Sequence, residues 1–573
     1  MTLRRFAPVL FAFVVIAFAQ YIMSGGSLMI DDWLMIAQVQ FDQNFATTVN
    51  YWNTVGGGGN RPLASVLFAL TPALFGTNPV PYIVLNTACW LAAVLLFSRV
   101  VREYLGDAAS LWFIVLASVP TIASSTIFEP MVMIIGTAST LCWAVSLWNL
   151  QRYLATKRAL HLVLTYVLII VGLLIYEVSA PLLLITMTLP LLPIVAQNGW
   201  NNAGLRREAL KFIAPVIAII ALLGAYQKLV VPLFGYATSR LSMRPLGDMA
   251  RSFFRWLFSV VADTPVMLGS SLTHYGWGIV ARWETWALLA AIVAFVLLLR
   301  TSEAAMQSNE KTPRERRLFL VLILLTLVSC SILSVLSGFN MRIEGIENRF
   351  LGSTWILLSV LMGSAFAQMQ RSWKVIFPAL VVFMVYASFL IQAHNYVANR
   401  RLQEAVIADC MKYLQTAQRQ AFRADAEKPF IVGNVPVYAN ENFNNEVVFA
   451  YRHDFGGQLK MRLGSRTAID EGQVVNINRE SPINDTTRFF LSRKADTILT
   501  GNLTGVMKRP LHGNVWWYEY DQYTRNSAFM RIRDTLHFDS IVTANRQGSV
   551  NIARLPVTER FRNSIKAMLG AKK

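Results

Sequence analysis

Apolar residues in this chain gather into long runs, with polar residues confined to the stretches between them. About 20 apolar residues in a helix cross the ~30 Å hydrocarbon core of a bilayer. Eleven runs approach that length: residues 6–23, 79–98, 108–126, 131–150, 160–176, 178–195, 212–231, 284–299, 318–338, 350–369 and 374–393. Only Tyr176 and Glu177 separate the fifth from the sixth. Past 393 the pattern changes. Residues 395–422 are polar with helical spacing of Tyr396, Leu402, Val406, Met411 and Leu414. Strand-like runs follow at 430–432, 446–451, 489–491, 515–520 and 538–543, with Gly456-Gly457 and Asn502 marking loops. These patterns predict a polytopic α-helical membrane protein, residues 1–393, followed by a C-terminal α/β domain, residues 394–573.

The loop between the first two spans, residues 24–61, has a pattern of its own. From Asp31 to Phe45 the apolar residues Leu34, Ala37, Phe41 and Phe45 recur at spacings of 3, 4 and 4. That predicts an amphipathic helix lying in the membrane interface, or a re-entrant packing helix with the same periodicity. The run Gly56–Gly59 leads into Asn60-Arg61-Pro62, and residues 62–75, broken by Pro72, predict a second interfacial helix.

Composition agrees with the spans. Hydrophobic residues make up 54% and charged residues 15%, against roughly 25% charged in soluble domains. The net charge of +19 divides almost evenly, 26 basic and 16 acidic residues in 1–393 and 26 and 17 in 394–573. That excludes a single basic tail for nucleic acid, and no zinc-finger or RNA-binding motif is present. Cys89, Cys142 and Cys330 lie in apolar runs and Cys410 stands apart, so no disulfide framework is implied.

Basic residues also set the orientation. They precede the first span (Arg4, Arg5) and recur in every second loop, at Arg99 and Arg102, Arg152 to Arg158, Arg206 to Lys211, Arg300 to Arg317, and Arg371 and Lys374. That places the N-terminus in the cytoplasm and, after an odd number of crossings, the C-terminal domain outside it. The first span carries signal-peptide features, including Ala17-Phe18-Ala19. Apolar character running on to Met23 favours a retained helix.

Candidate chemistry lies in the external loops. Asp31 and Asp32 adjoin an apolar slab, where carboxylates are costly unless they bind, titrate or cap a helix. Glu129 precedes Pro130 at a helix start, and Glu177 sits at the break between two spans. The loop 232–283 runs against the charge rule with Arg240, Arg244, Arg251, Arg255 and Arg282, and 339–349 adds Arg342 and Arg349 among Glu344 and Glu347. Arginine suits forked hydrogen bonds to phosphate. Anionic lipid headgroups would equally attract Arg251 and Arg255, and Arg349 could pair with Glu344 or Glu347. His453-Asp454 and His512 match no ligand spacing, and Trp516, Trp517, Tyr518, Tyr520 and Tyr523 read as sheet packing. No nucleotide-binding or nucleophile-elbow motif occurs.

The order of Asp31-Asp32-Trp33, Trp52, Asn60-Arg61-Pro62-Leu63 and Phe75-Gly76-Thr77-Asn78 resembles the GT-C superfamily of integral-membrane glycosyltransferases. Within it the chain looks most like the bacterial O-antigen-modifying, serotype-converting glucosyltransferases. It departs from them at Met35, where they often have Arg, and at Asn60, where they have Gly. The resemblance implies transfer of a sugar, a hexose such as glucose, from a polyprenyl-phosphate carrier. The acceptor would be a hydroxyl of a surface glycan or lipid-linked acceptor, outside the inner membrane and with inversion. Asp31 would be the general base and Asp32 secondary, with a divalent metal beside them left open. Arg349, Arg251, Arg255 and Arg61 are candidate ligands of the donor phosphate, and Glu129 and Glu177 candidate acceptor-side acids. An O-antigen polymerase or ligase, a transporter and a non-catalytic scaffold are the alternatives. Acids confined to loops and span ends argue against the transporter.

Overall fold

The computed structural model describes residues 2–435 apart from 30, 43, 56–57, 201–202, 235–244, 276–280, 303–310, 338–342, 344, 370–374 and 416–429. Beyond 435 it describes 452–463, 474–476, 490–491, 497–500, 507–510, 515–520, 522 and 525–531. Local chemistry sets the helix ends. Asn78 caps Pro79–Leu105 by accepting from the Val80 N–H, with Pro79 at the first position where no N–H is needed. Thr312 and Glu315 form a reciprocal capping box ahead of Pro313–Ser329.

Among the described residues, eight helices are long and apolar enough to cross a membrane: Arg4–Met23, Pro79–Leu105, Glu177–Asn198, Gly204–Phe234, Trp283–Ser302, Pro313–Leu336, Asn348–Gln368 and Ile376–Gln415. The protein is therefore a polytopic helical membrane protein. The other three expected runs are helical but shorter or more polar. Residues 108–126 fall in Asp107–Ala117, Thr121–Ala123 and Ser125–Phe128, interrupted at Pro120. Residues 160–176 form Ala159–Ile175, a helix of 17 residues, about 25 Å long. Of residues 131–150, the first three form a turn and the rest lie in Ile134–Thr156, where Asn149, Gln151 and Arg152 dilute the apolar character.

Helix α1 (Thr2–Met23) and the helix Ile376–Gln415 run in the same direction. Phe13 meets Tyr386 at 5.1 Å, Phe18 meets Phe389 at 5.3 Å, and Gln20 reaches His394 at 3.4 Å. Aromatic side chains fill the centre of the bundle, Trp112 lying edge-on to both Phe295 and Phe366, and Phe97 to Trp143.

The first loop folds as three helices, α2 (Asp31–Asp42), α3 (Phe45–Val55) and α4 (Pro62–Phe75). The single amphipathic helix expected from Asp31 to Phe45 ends at Asp42. Asn44 starts a new one by accepting from the Ala46 N–H at 2.9 Å. Met35, Ile36 and Ala37 are buried against protein, so α2 packs inward.

Strands β1 (Phe430–Asn434), β2 (Val474–Asn476), β6 (Val515–Tyr520) and β7 (Ser527–Arg531) form a sheet in the order β2-β1-β6-β7; β3 (Phe490–Leu491), β4 (Thr497–Thr500) and β5 (Met507–Pro510) form a second. β1 runs parallel to β2 and β6, and β7 antiparallel to β6. Trp516, Tyr518 and Tyr520 alternate onto one buried face with Val406, Cys410, Phe455 and Phe529. The runs expected at 446–451 and 538–543, and His512 and Tyr523, lie outside the described residues. Gly456-Gly457, expected as a loop, lies inside the helix Arg452–Leu463. Phe455 and Leu459, one turn apart, bury into the sheet core and hold that segment helical across its glycines.

Candidate functional site

Asp32 is fully buried, and its carboxylate is shared between two chain segments. Oδ2 accepts the Met29 N–H at 3.0 Å and Oδ1 accepts the Val132 N–H at 2.9 Å. The first bond tightens the turn into α2, and the second ties the first loop to residues 129–133. Trp33 adds a third tie, its Nε1 donating to the Leu28 carbonyl at 2.9 Å. Asp31 opens α2, and its side chain lies outside the described residues.

The other acids each meet an arginine. Arg61, immediately ahead of Pro62 at the start of α4, forks onto Glu177, with Nε donating to Oε2 at 2.6 Å and Nη2 bonded to Oε1. Its guanidinium lies 4.5 Å over the Tyr176 ring. Burial pulls the guanidinium pKa down, but the facing Glu177 carboxylate outweighs it and holds Arg61 above its ordinary value. Glu129 is 1% exposed, and its Oε2 lies 4.0 Å from Nη1 of Arg349, an ion pair longer than a hydrogen bond. Arg349 covers the Phe350 ring at 5.2 Å, and Phe350 lies 6.4 Å from Tyr176. Asp32, Arg61, Glu129, Glu177 and Arg349 thus belong to one continuous cluster. Arg349 pairs with Glu129, 220 residues away; Glu344 and the side chain of Glu347, the near neighbours expected for it, lie outside the described residues.

Uncharged residues hold that cluster in place. Asn348 accepts from the N–H and Oγ of Ser125 at 3.0 and 2.6 Å and donates to Ser124 Oγ at 3.0 Å, which fixes Arg349 beside Glu129. Asn86 donates to the Pro130 carbonyl at 2.6 Å and accepts from Thr137 at 2.8 Å. Ser353 donates to the Val178 carbonyl at 3.0 Å next to Glu177. None of these was singled out from sequence. A lone amide inside or beside an apolar run was the available signal, since a buried amide needs partners.

Two further segments close around the first loop. The turn out of α1 places Gly26 in a left-handed conformation, φ +63°, and its carbonyl accepts from Arg400 at 2.7 Å. The helix Arg452–Leu463 lies on α2, where a Cβ on Gly457 would stand 3.5 Å from the Trp33 backbone. Met461 packs on the same apolar cluster as Trp33.

Arg251 and Arg255 stand apart. They project from the exposed side of the helix Leu246–Phe258, Arg251 lying 3.8 Å from Asp248, and no described contact joins either to the cluster. Arg282 instead reaches His394, midway along Ile376–Gln415. Arg240, Arg244 and Arg342 lie outside the described residues, as do the side chains of His453 and Asp454. Among the described residues no three His, Cys, Asp or Glu side chains converge as metal ligands.

The arrangement is a buried acid held by backbone amides, with two arginine–carboxylate pairs stacked on aromatic rings, where four loops of the chain meet. Such a site can orient an anionic or hydroxylated ligand and stabilise developing negative charge. Comparison with protein-family models, curated proteins and solved structures finds no match.

Proposed function

We propose that this protein is a GT-C-like glycosyltransferase of the bacterial inner membrane. It moves a hexose from a polyprenyl-phosphate carrier to a hydroxyl of a surface glycan or lipid-linked acceptor on the periplasmic side. The observation that carries this reading is the convergence of the Asp31-Asp32 helix with Arg61–Glu177 and Arg349–Glu129 at one end of a membrane bundle.

The chemistry follows from those groups. The Asp31 carboxylate takes the proton of the acceptor hydroxyl as its oxygen attacks the anomeric carbon. The bond from that carbon to the phosphate oxygen breaks, and the carrier phosphate leaves as an anion that Arg349 stabilises. A single displacement inverts the sugar. Asp32, committed to two backbone N–H groups, holds the helix that presents Asp31.

The reading of residues 394–573 as lying on the same, periplasmic side as the first loop is supported by the parallel course of α1 and Ile376–Gln415. Both leave the bundle at the end where the first loop lies, opposite the N-terminus. Eleven crossings satisfy that geometry, with the three shorter or more polar helices included.

The test is transfer from a polyprenyl-phosphate hexose by purified protein. A positioned base contributes about 10²–10⁴-fold, so Asp31→Asn removes most turnover with folding intact. Arg349→Ala weakens donor turnover, and lysine restores it only partly. A chelator arm asks whether a divalent ion assists. Wild-type rates for Asp31→Asn would remove the mechanism.

A further inference from the structure

The helix Ile134–Thr156 begins beside Val132, whose N–H bonds Asp32 in the first loop, and its 23 residues run about 35 Å to the opposite end of the bundle. There it meets the starts of two more helices, Ala159–Ile175 and Gly204–Phe234. The Tyr166 hydroxyl of the first donates to the Lys211 carbonyl of the second at 2.6 Å. Tyr153, near the end of Ile134–Thr156, packs edge-on to Phe212 at 6.2 Å.

Six basic residues stand at this corner, Arg152, Lys157, Arg158, Arg206, Arg207 and Lys211, with Glu208 the one acid in the same stretches of chain. Two of the six converge. Lys211 Nζ lies 4.7 Å from the centre of the Tyr153 ring and Lys157 Nζ 5.9 Å from it. Lys211 starts deeper in the bundle, because Tyr166, bonded to its carbonyl, is seven residues or about 10 Å into its helix. Its stem passes the Phe212 ring, Nζ at 5.4 Å, and carries the charge back toward the helix ends. Arg152 is turned aside, 5.2 Å over Trp148.

The ring attracts each ammonium group, but two of them on one ring repel each other. Among the described residues neither lysine has an ion pair. Lys157 is exposed and Lys211 half-buried, so an anion has open access to both. The surface on the membrane side of them is apolar and bare. Leu160, one turn beyond Lys157, is 65% exposed and Leu210, beside Lys211, 70%; Val163 and Leu164 extend the exposed stripe along Ala159–Ile175. Two open cations beside bare leucines fit an anion that carries hydrocarbon, and basic pockets between helices at a membrane surface hold anionic headgroups. Free phosphate matches only the cations.

We propose that this corner binds an anionic phospholipid of the leaflet opposite the first loop, its phosphate between Lys157 and Lys211 and an acyl chain along Leu160 and Leu164. The corner lies a full helix length from the acid and arginine cluster, so the proposal does not depend on the glycosyltransferase reading.

The experiment titrates delipidated full-length protein, in a non-ionic detergent, with dioleoylphosphatidylglycerol and counts bound lipid by native mass spectrometry. Dioleoylphosphatidylcholine and inorganic phosphate are the comparison probes. The anionic lipid should bind tighter than the zwitterionic one and weaken as salt rises, and inorganic phosphate in large excess should not displace it. One lysine at an anionic surface corresponds to about 5-fold in affinity, so Lys157→Gln and Lys211→Gln should each weaken binding by that factor and together about 30-fold. Arg206→Gln with Arg207→Gln removes the same charge from exposed positions that do not reach the Tyr153 ring, and should cost less than either single lysine. Melting in lipid-free detergent checks folding, and Lys157, being exposed, decides the question even if Lys211→Gln melts early. Wild-type affinity in the lysine double variant would overturn the proposal. Equal losses in the lysine and arginine pairs would reduce the corner to a generally basic surface and overturn it too, as would equal binding of phosphatidylcholine or displacement by inorganic phosphate.

Discussion

Asp32→Ala removes two buried acceptors at once, and its cost can be worked from the contacts. The Met29 and Val132 N–H groups, bonded to the carboxylate at 3.0 and 2.9 Å, lose their partner where the side chain was fully buried. An unsatisfied buried donor costs about 1–3 kcal/mol, so the pair costs about 2–6 kcal/mol. Asp32→Asn keeps the shape but turns an amide NH₂ toward one of those two donors, a cost of about 1–3 kcal/mol. Thermal unfolding in a fixed detergent should therefore rank wild type above Asn and Asn above Ala. Asp31→Asn should stay near wild type. Amide exchange supplies the local readout: Val132 should lose protection in Asp32→Ala, because that carboxylate joins its segment to the first loop. An Asp32→Ala protein with the wild-type melting temperature and wild-type protection at Val132 would refute this account of Asp32.

Three other outcomes are expected. In a double-mutant cycle of Arg61→Lys and Glu177→Gln the two changes should couple by about 1.5–3 kcal/mol, and additive effects would show that the fork contributes nothing. A periplasm-dependent reporter fused after Lys573 should be active, and a cytoplasm-dependent one silent; the opposite pattern would overturn the orientation. Replacing Arg251 and Arg255 together by Ala should leave sugar transfer within about threefold of wild type while weakening adsorption to anionic vesicles. A severe transfer defect would bring that helix into the site.

Much of the cluster could be named from the sequence, but its pairings could not. Asp32, Arg61, Glu129, Glu177 and Arg349 each stood out as a charge beside an apolar run, a cost that demands an explanation. Which acid faces which arginine is a tertiary fact: Glu177 is 116 residues from Arg61, and no periodicity reaches that far. Asn86 and Asn348 carry no charge and so raised no flag, though both position the charged residues. Arg251 and Arg255 were drawn in by their offence against the charge rule, which a helix on an anionic membrane surface meets just as well. The helix at Arg452–Leu463 was hidden by its two glycines, which read locally as a loop. Its helical state depends on the sheet core on one side and α2 on the other. Span counting was sound where runs were long and uniform. It blurred at Pro120 and around Asn149, where a crossing segment need not be one unbroken apolar helix once its polar backbone is buried against neighbours.

The contact between Gly457 and Trp33 joins residues 424 positions apart in the chain. At a synthesis rate of 5–20 residues per second, the first loop waits roughly 20–85 s for the helix that covers it. During that interval Trp33 and its apolar neighbours on α2 lack the cover of that helix. A ribosome that stops short of residue 463 leaves a complete bundle whose first loop never closes. Closure of the first loop thus waits on a segment made more than 400 residues after Trp33.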